Sequence, residues 1–90
     1  MSEELWQIRV MGTAQRQLRQ LPERYATAVV ELLPAIAANP RRLGKPLKFE
    51  FEGRWAARRG AYRVIYEIDE EAGIVRVLAV AHRSDVYRRR

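Results

Sequence analysis

Four β-forming runs follow one another between Leu47 and His82 with almost nothing between them. The runs are Leu47 to Phe51, Arg54 to Arg59, Tyr62 to Asp69 and Ile74 to His82, and the breaks are Glu52-Gly53, Gly60-Ala61 and Glu70-Glu71-Ala72-Gly73. Connections this short cannot hold the crossover that a parallel pair needs, so each run must turn back on the last as an antiparallel meander.

The first half of the chain has a different rhythm. Leu5 to Val10 reads as a lone strand. Gly12-Thr13 then opens a helix, with Thr13 as the expected N-cap. Ala14, Leu18 and Leu21 share one face of it. Pro22 suits the first turn of a second helix, whose apolar stripe is Tyr25, Ala28, Val29, Leu32, Leu33 and Ile36. Pro34 inside that helix predicts a kink or a break, and Asn39-Pro40 ends it. The two helices form a tight αα-hairpin. Residues 40–46 read as a loop rich in turn residues. The expected fold is α+β and a single domain over residues 1–90: an N-terminal strand, then a two-helix hairpin packed on one face of a twisted antiparallel sheet of four to five strands. The other face of the sheet is left open.

Composition narrows what that face can do. The 90 residues include no cysteine and one histidine, His82, so thiol chemistry and multi-histidine metal sites are excluded; no metal or cofactor is expected. No apolar run approaches the length of a membrane span, and the acidic start Met1-Ser2-Glu3-Glu4 is unlike a signal peptide; a cytoplasmic protein without a membrane partner is expected. The net charge of +6 points to an anionic partner. All the basic residues except Lys45 and Lys48 are arginine, the better bidentate phosphate ligand. An arginine-biased composition would give the same count, so position must carry the inference.

Along the third run, Tyr62, Val64, Tyr66 and Ile68 are the apolar set and face the helices; Arg63, Ile65 and Glu67 then face the open side. Arg54, Arg58, Arg59 and Arg63 lie in a stretch with no acidic residue, and Arg83 and Arg88 to Arg90 follow. Trp55, Tyr62, Tyr66 and Tyr87 are interleaved with them. Positive charge among aromatic faces suits single-stranded nucleic acid. The alternative is a solvated face whose arginines pair with Glu50, Glu52 and Glu67. The last run is apolar on both sides and does not orient itself; as a central strand it puts His82 and Arg83 on opposite faces unless a bulge intervenes.

Three stretches resemble the RelE/ParE superfamily of bacterial toxins: Asn39-Pro40-Arg41-Arg42-Leu43-Gly44-Lys45-Pro46-Leu47, the run from Gly53 through Tyr62-Arg63-Val64-Ile65-Tyr66, and Val80-Ala81-His82-Arg83-Ser84-Asp85-Val86-Tyr87. The specific parts are Gly-x-Tyr-Arg-x-x-Tyr and His-Arg-x-x-x-Tyr, and they favour the RelE branch. The resemblance implies an endoribonuclease that cuts mRNA in the ribosomal A site and inhibits translation, silenced by a RelB-like cognate antitoxin. It implies Arg63 and Arg83 as phosphate-binding residues and Tyr87 as a residue of the cleavage step. Arg54 and Ala56 stand where some members carry lysines, Arg58 or Arg59 matches an arginine of related branches, and no clear counterpart follows Pro46 for the glutamate of others. The identity of the general base is left open.

Such cleavage uses the 2′-OH as nucleophile and needs cationic donors on the phosphorane, a base and an acid. Arg63 and Arg83 would grip the scissile phosphate. Arg54, Arg58 and Arg59 would hold flanking phosphates or ribosomal RNA, with Lys45 and Lys48 in support. His82 is the residue type that exchanges a proton near neutrality. Tyr87 would stack on a base, or act as base if arginines hold its phenol well below about 10. A ParE-like inhibitor of DNA gyrase without nuclease activity, and a docking module with a decayed site, remain open, as does homodimerisation.

Overall fold

The computed structural model describes residues 5–82 and Ser84. Its elements run β1 (Gln7–Val10), α1 (Gly12–Gln20), α2 (Glu23–Ala38), α3 (Pro40–Leu43), β2 (Lys45–Pro46), a 3₁₀ turn (Phe49–Phe51), β3 (Trp55–Arg59), β4 (Tyr62–Asp69) and β5 (Ile74–His82). The strands form one five-stranded sheet in the order β1-β5-β4-β3-β2. After β1 the chain crosses over the helices to the far edge and meanders back until β5 meets β1. The meander is antiparallel, as expected; β1 alone pairs parallel, with Ile8 opposite Val75 and Val10 opposite Val77.

The helices cover one face. Ala14, Val29 and Ile36 meet Ala57, Val64, Tyr66, Val75, Val77 and Val80 in one buried cluster. Each fully buried aliphatic side chain there contributes about 1.5–3 kcal/mol relative to exposure. The third run is oriented as its alternation implied, with Val64 and Tyr66 fully buried.

The last run could not orient itself for a physical reason. Ile65 pairs with Ala79 but Tyr66 pairs with Val77, so Leu78 is an extra residue, a β-bulge. The bulge switches the buried set of β5 from Val75 and Val77 to Val80. Beyond the bulge Ala81 stands opposite Arg63, and His82 opposite Tyr62. β1 ends at Val10, so among the described residues no strand lies beside the edge of β5 past Val77. Helix α1 takes over there: Val80 donates its backbone N–H to Gln17 Oε1 at 2.6 Å.

Several local expectations are corrected. Thr13 does not cap α1; the N-cap is Met11, and the Thr13 hydroxyl instead accepts from Arg16 at 3.3 Å. Pro34 does not break α2. The carbonyl it leaves without an intrahelical N–H belongs to Val30, which is 48% exposed, so water can supply the donor. Residues 40–46 are not a plain loop: Pro40 starts a short helix, where its missing N–H costs nothing, and Lys45–Pro46 pair with β3. The run Leu47 to Phe51 is not a strand but ends in the 3₁₀ turn, with Phe49 at φ 61° and 88% exposed. The β3–β4 hairpin turns in two residues, with Gly60 at φ 61° supplying the left-handed conformation that such a turn asks of its first residue.

Candidate nucleic-acid interface

Register alone sorts the arginines. Residues directly opposite in a ladder share a face. Arg58 is opposite Arg63, and Arg63 is opposite Ala81, so these three form one row on the sheet face turned away from α1 and α2, which among the described residues carries no helix. The next row is Lys45, Ala56, Ile65 and Ala79. Alanine occupies much of the floor, and cationic side chains rise beside it. Lys45, Arg58 and Arg63, with Leu43, Leu47 and Ala56, line a cleft of about 390 Å³.

Like charges directly across a strand pair are destabilising. The sheet deals with another such pair, Arg9 opposite Arg76, by bringing carboxylates to it: Arg76 pairs with Asp69 at 2.9 Å and Glu67 at 3.6 Å. Asp69 is held below the usual carboxylate range by the Ala72 N–H first and then by Arg76. Glu67 therefore serves Arg76. Glu70 pairs with Arg41.

The wall carrying Lys45 is fixed from behind. The Tyr66 hydroxyl donates to the Pro40 carbonyl at 2.5 Å. Burial pushes this phenol up to about 12, against a smaller opposing effect of the Gly44 backbone. Gly44 lies so close that a Cβ there would overlap the Tyr66 hydroxyl and crowd the Ala56 carbonyl. Neither contact was legible beforehand, because the partners are 26 residues apart or a side chain and a missing Cβ.

The remaining candidates disperse. Arg54 precedes β3 and Lys48 precedes the 3₁₀ turn; both are exposed and neither lines the cleft. Trp55 packs against the core cluster. Arg59 is opposite Tyr62 and so belongs to the helix side. His82 joins it there: its ring meets Tyr62 edge-on at 5.2 Å, and its Nδ1 is 2.9 Å from Ser84 Oγ. The histidine is thus across the sheet from Arg63 and not beside the cleft. Arg83 and Tyr87 lie outside the described residues. Tyr25, read from its stripe as a core residue, instead stands 37% exposed beside Tyr62, with ring centroids 5.5 Å apart. Its neighbours across the fold, not its period, would have revealed that.

Residues 8–87 match the family described as the ParE toxin of the type II toxin–antitoxin system, parDE. The chain is 47% identical over 83 residues to Toxin RelG of Mycobacterium tuberculosis, covering 91% of this chain and 95% of that one. It is 44% identical over 84 residues to Toxin RelE of the same organism, covering 92% and 87%. Among solved structures it is similar to the toxin–antitoxin complex RelBE2 from M. tuberculosis, with a TM-score of 0.85 and 42% identity over 93% of this chain and 98% of that chain. Sequence, element order and sheet topology agree: this chain belongs to the ParE toxin family, and is a type II toxin of the RelE/ParE superfamily.

Proposed function

We propose that the chain is a ribosome-dependent endoribonuclease that cuts mRNA in the A site and so arrests translation. The observation that carries this reading is the Arg58–Arg63 pair, set directly across β3 and β4 on the face turned away from α1 and α2 with Lys45 in the same cleft. Two guanidiniums side by side suit a phosphate whose charge grows as it passes to a phosphorane.

In the proposed reaction the 2′-oxygen attacks the adjacent phosphorus as its proton leaves. The bond from phosphorus to the 5′-oxygen breaks, that oxygen takes up a proton, and a 2′,3′-cyclic phosphate remains. Arg63 is the phosphate donor, Arg58 and Lys45 hold the flanking charge, and Arg54 and Lys48 approach the surrounding RNA. Resemblance adds Arg83 as a second donor and Tyr87 as the residue for stacking or proton transfer. His82 is left out of the scissile site, since its ring lies on the helix side. The partners in this reading are the ribosome, mRNA and a RelB-like antitoxin, in keeping with the toxin–antitoxin complex it is similar to. Among the described residues no helix is long and apolar enough to cross a membrane, which accords with action in the cytoplasm.

The test is expression of the chain in cells with mapping of mRNA 5′ ends. Ends clustered within translated codons are expected, and they should disappear for Arg63→Ala. A second reading follows from the ParE description of the matched family: inhibition of DNA gyrase. Loss of supercoiling by purified gyrase, with no new mRNA ends, would establish that reading instead.

A further inference from the structure

A second basic and aromatic cluster lies across the sheet from the cleft, where the first turns of α2 overlie the β3–β4 hairpin. Tyr25, Tyr62 and His82 form a chain of rings, tilted at 42° and then edge-on at 89°. Arg24 sits over Tyr25 at 4.8 Å from the ring centroid and donates to its hydroxyl at 2.9 Å. A cavity of about 350 Å³ opens between Tyr25, Tyr62, His82 and Arg59, and among the described residues no carboxylate lines it. Tyr62 packs against the core cluster, but Tyr25 is 37% exposed and the other two rings are only half-buried, so part of the ring surface stays open to a ligand.

We propose that this niche holds one unstacked nucleobase of a single-stranded RNA, with the neighbouring phosphate on Arg59. The chemistry is that of a planar heterocycle joined to an anion. Aromatic faces offer stacking, the Tyr25 hydroxyl and His82 Nε2 offer edge contacts, and a guanidinium stands at the mouth. The strand register says how one RNA reaches both sites. Arg59 follows Arg58, and Tyr62 precedes Arg63, so adjacent residues of the same hairpin serve opposite faces. A strand running over the Gly60-Ala61 turn meets the cleft on one side and the niche on the other. That the RNA is a cleavage substrate rests on the function proposed above; occupancy of the niche by a base does not.

The experiment is a titration of the ¹⁵N-labelled chain with a short single-stranded oligoadenylate and with an abasic ribose-phosphate oligomer of equal length. Oligoadenylate is expected to shift the amides of Ala61, Tyr62 and His82 as well as those of Arg58 and Arg63. The abasic oligomer, which keeps the phosphates, should shift the cleft and Arg59 but leave Tyr25 and His82 in place. Tyr62 packs against the core, so the variants are Tyr25→Ala and Arg59→Glu; each should weaken oligoadenylate binding by roughly tenfold, a stacking-sized loss. Equal niche shifts with both oligomers, or unchanged affinity in both variants, would overturn the proposal. So would niche shifts seen only with an antitoxin peptide. Arg63→Ala should silence the cleft and leave the niche shifts in place, which separates failure of the nuclease reading from failure of this one.

Discussion

Arg58 on β3 stands directly opposite Arg63 on β4, a like-charge pair near the hairpin end of the sheet, on the face turned away from α1 and α2. Taken alone, the contact between like charges opposes folding by a few tenths to about 1 kcal/mol. Stability and activity should therefore separate. Arg58→Ala is expected to leave the urea midpoint unchanged or raise it, while reducing cleavage of ribosome-bound mRNA about tenfold. Arg63→Ala, which removes the proposed phosphate donor, should reduce cleavage by roughly 100-fold. Full cleavage in both variants, measured by primer extension on translating ribosomes, would remove the cleft from the mechanism.

Tyr66 gives a prediction with a pH signature. Its hydroxyl is buried on the Pro40 carbonyl, and its pKa is pushed up to about 12. In the unfolded chain a tyrosine titrates near 10. Below about pH 10 both states hold the proton, and the hydrogen bond contributes in full. As pH rises from about 10 toward 12 the unfolded state loses its proton first, so stability falls, by roughly 1.4 kcal/mol for each pH unit. Tyr66→Phe should cost about 1–2 kcal/mol at neutral pH. It should also lack this residue's share of the alkaline loss, so the two stability curves converge above about pH 10 and cross before pH 12. Parallel curves from pH 8 to 12 in urea titrations would contradict the assignment.

How far the sequence reached follows from range. β3, β4 and β5 are legible because their β-forming runs are joined by short connections, and β4 also because its residues alternate. Arg63 was placed on the open face by the alternation of β4 alone. Arg58 opposite it needed the two-residue turn at Gly60-Ala61, which sets the register. The bulge at Leu78 defeated the same logic in β5, because one extra residue reverses every side chain beyond it. His82 enters the candidate site on its proton-exchange chemistry, which carries no information on facing; its ring lies with Tyr62 on the helix side. The run at Leu47 to Phe51 carries β-forming residues, but only Lys45–Pro46 gained a ladder partner as β2. Local propensity named a strand that tertiary pairing did not supply.

Gly44 should tolerate no side chain while Tyr66 keeps its hydroxyl, since a Cβ would overlap that oxygen. The backbone conformation there, φ −108°, is open to any residue, so the cost is overpacking and not strain in φ. Gly44→Ala is expected to destabilise by about 1–3 kcal/mol. The clash also involves the ring carbon that bears the hydroxyl, so Tyr66→Phe should relieve it in part. A double-mutant cycle should show Gly44→Ala costing less in the Phe background, with coupling of about 0.5–1.5 kcal/mol. Strict additivity would mean that the loop accommodates the methyl group by moving away from Tyr66.

Gln17 tests the other consequence of the bulge. Beyond Val77 the edge of β5 has lost its neighbour β1, and the Val80 N–H finds its acceptor on Gln17 of α1 at 2.6 Å. Val80 is itself part of the buried cluster, so this N–H is poorly placed to turn to water. Gln17→Ala should cost about 1–3 kcal/mol, the range for a donor left unsatisfied. Gln17→Glu retains an oxygen at the same reach and should recover most of that loss above the carboxylate range, then surrender part of it as the acid protonates. Amide exchange at Val80 gives a direct reading: fast in Gln17→Ala, slow in the parent and in Gln17→Glu at neutral pH. Slow exchange in the alanine variant would show that the strand edge is protected by something other than this side chain.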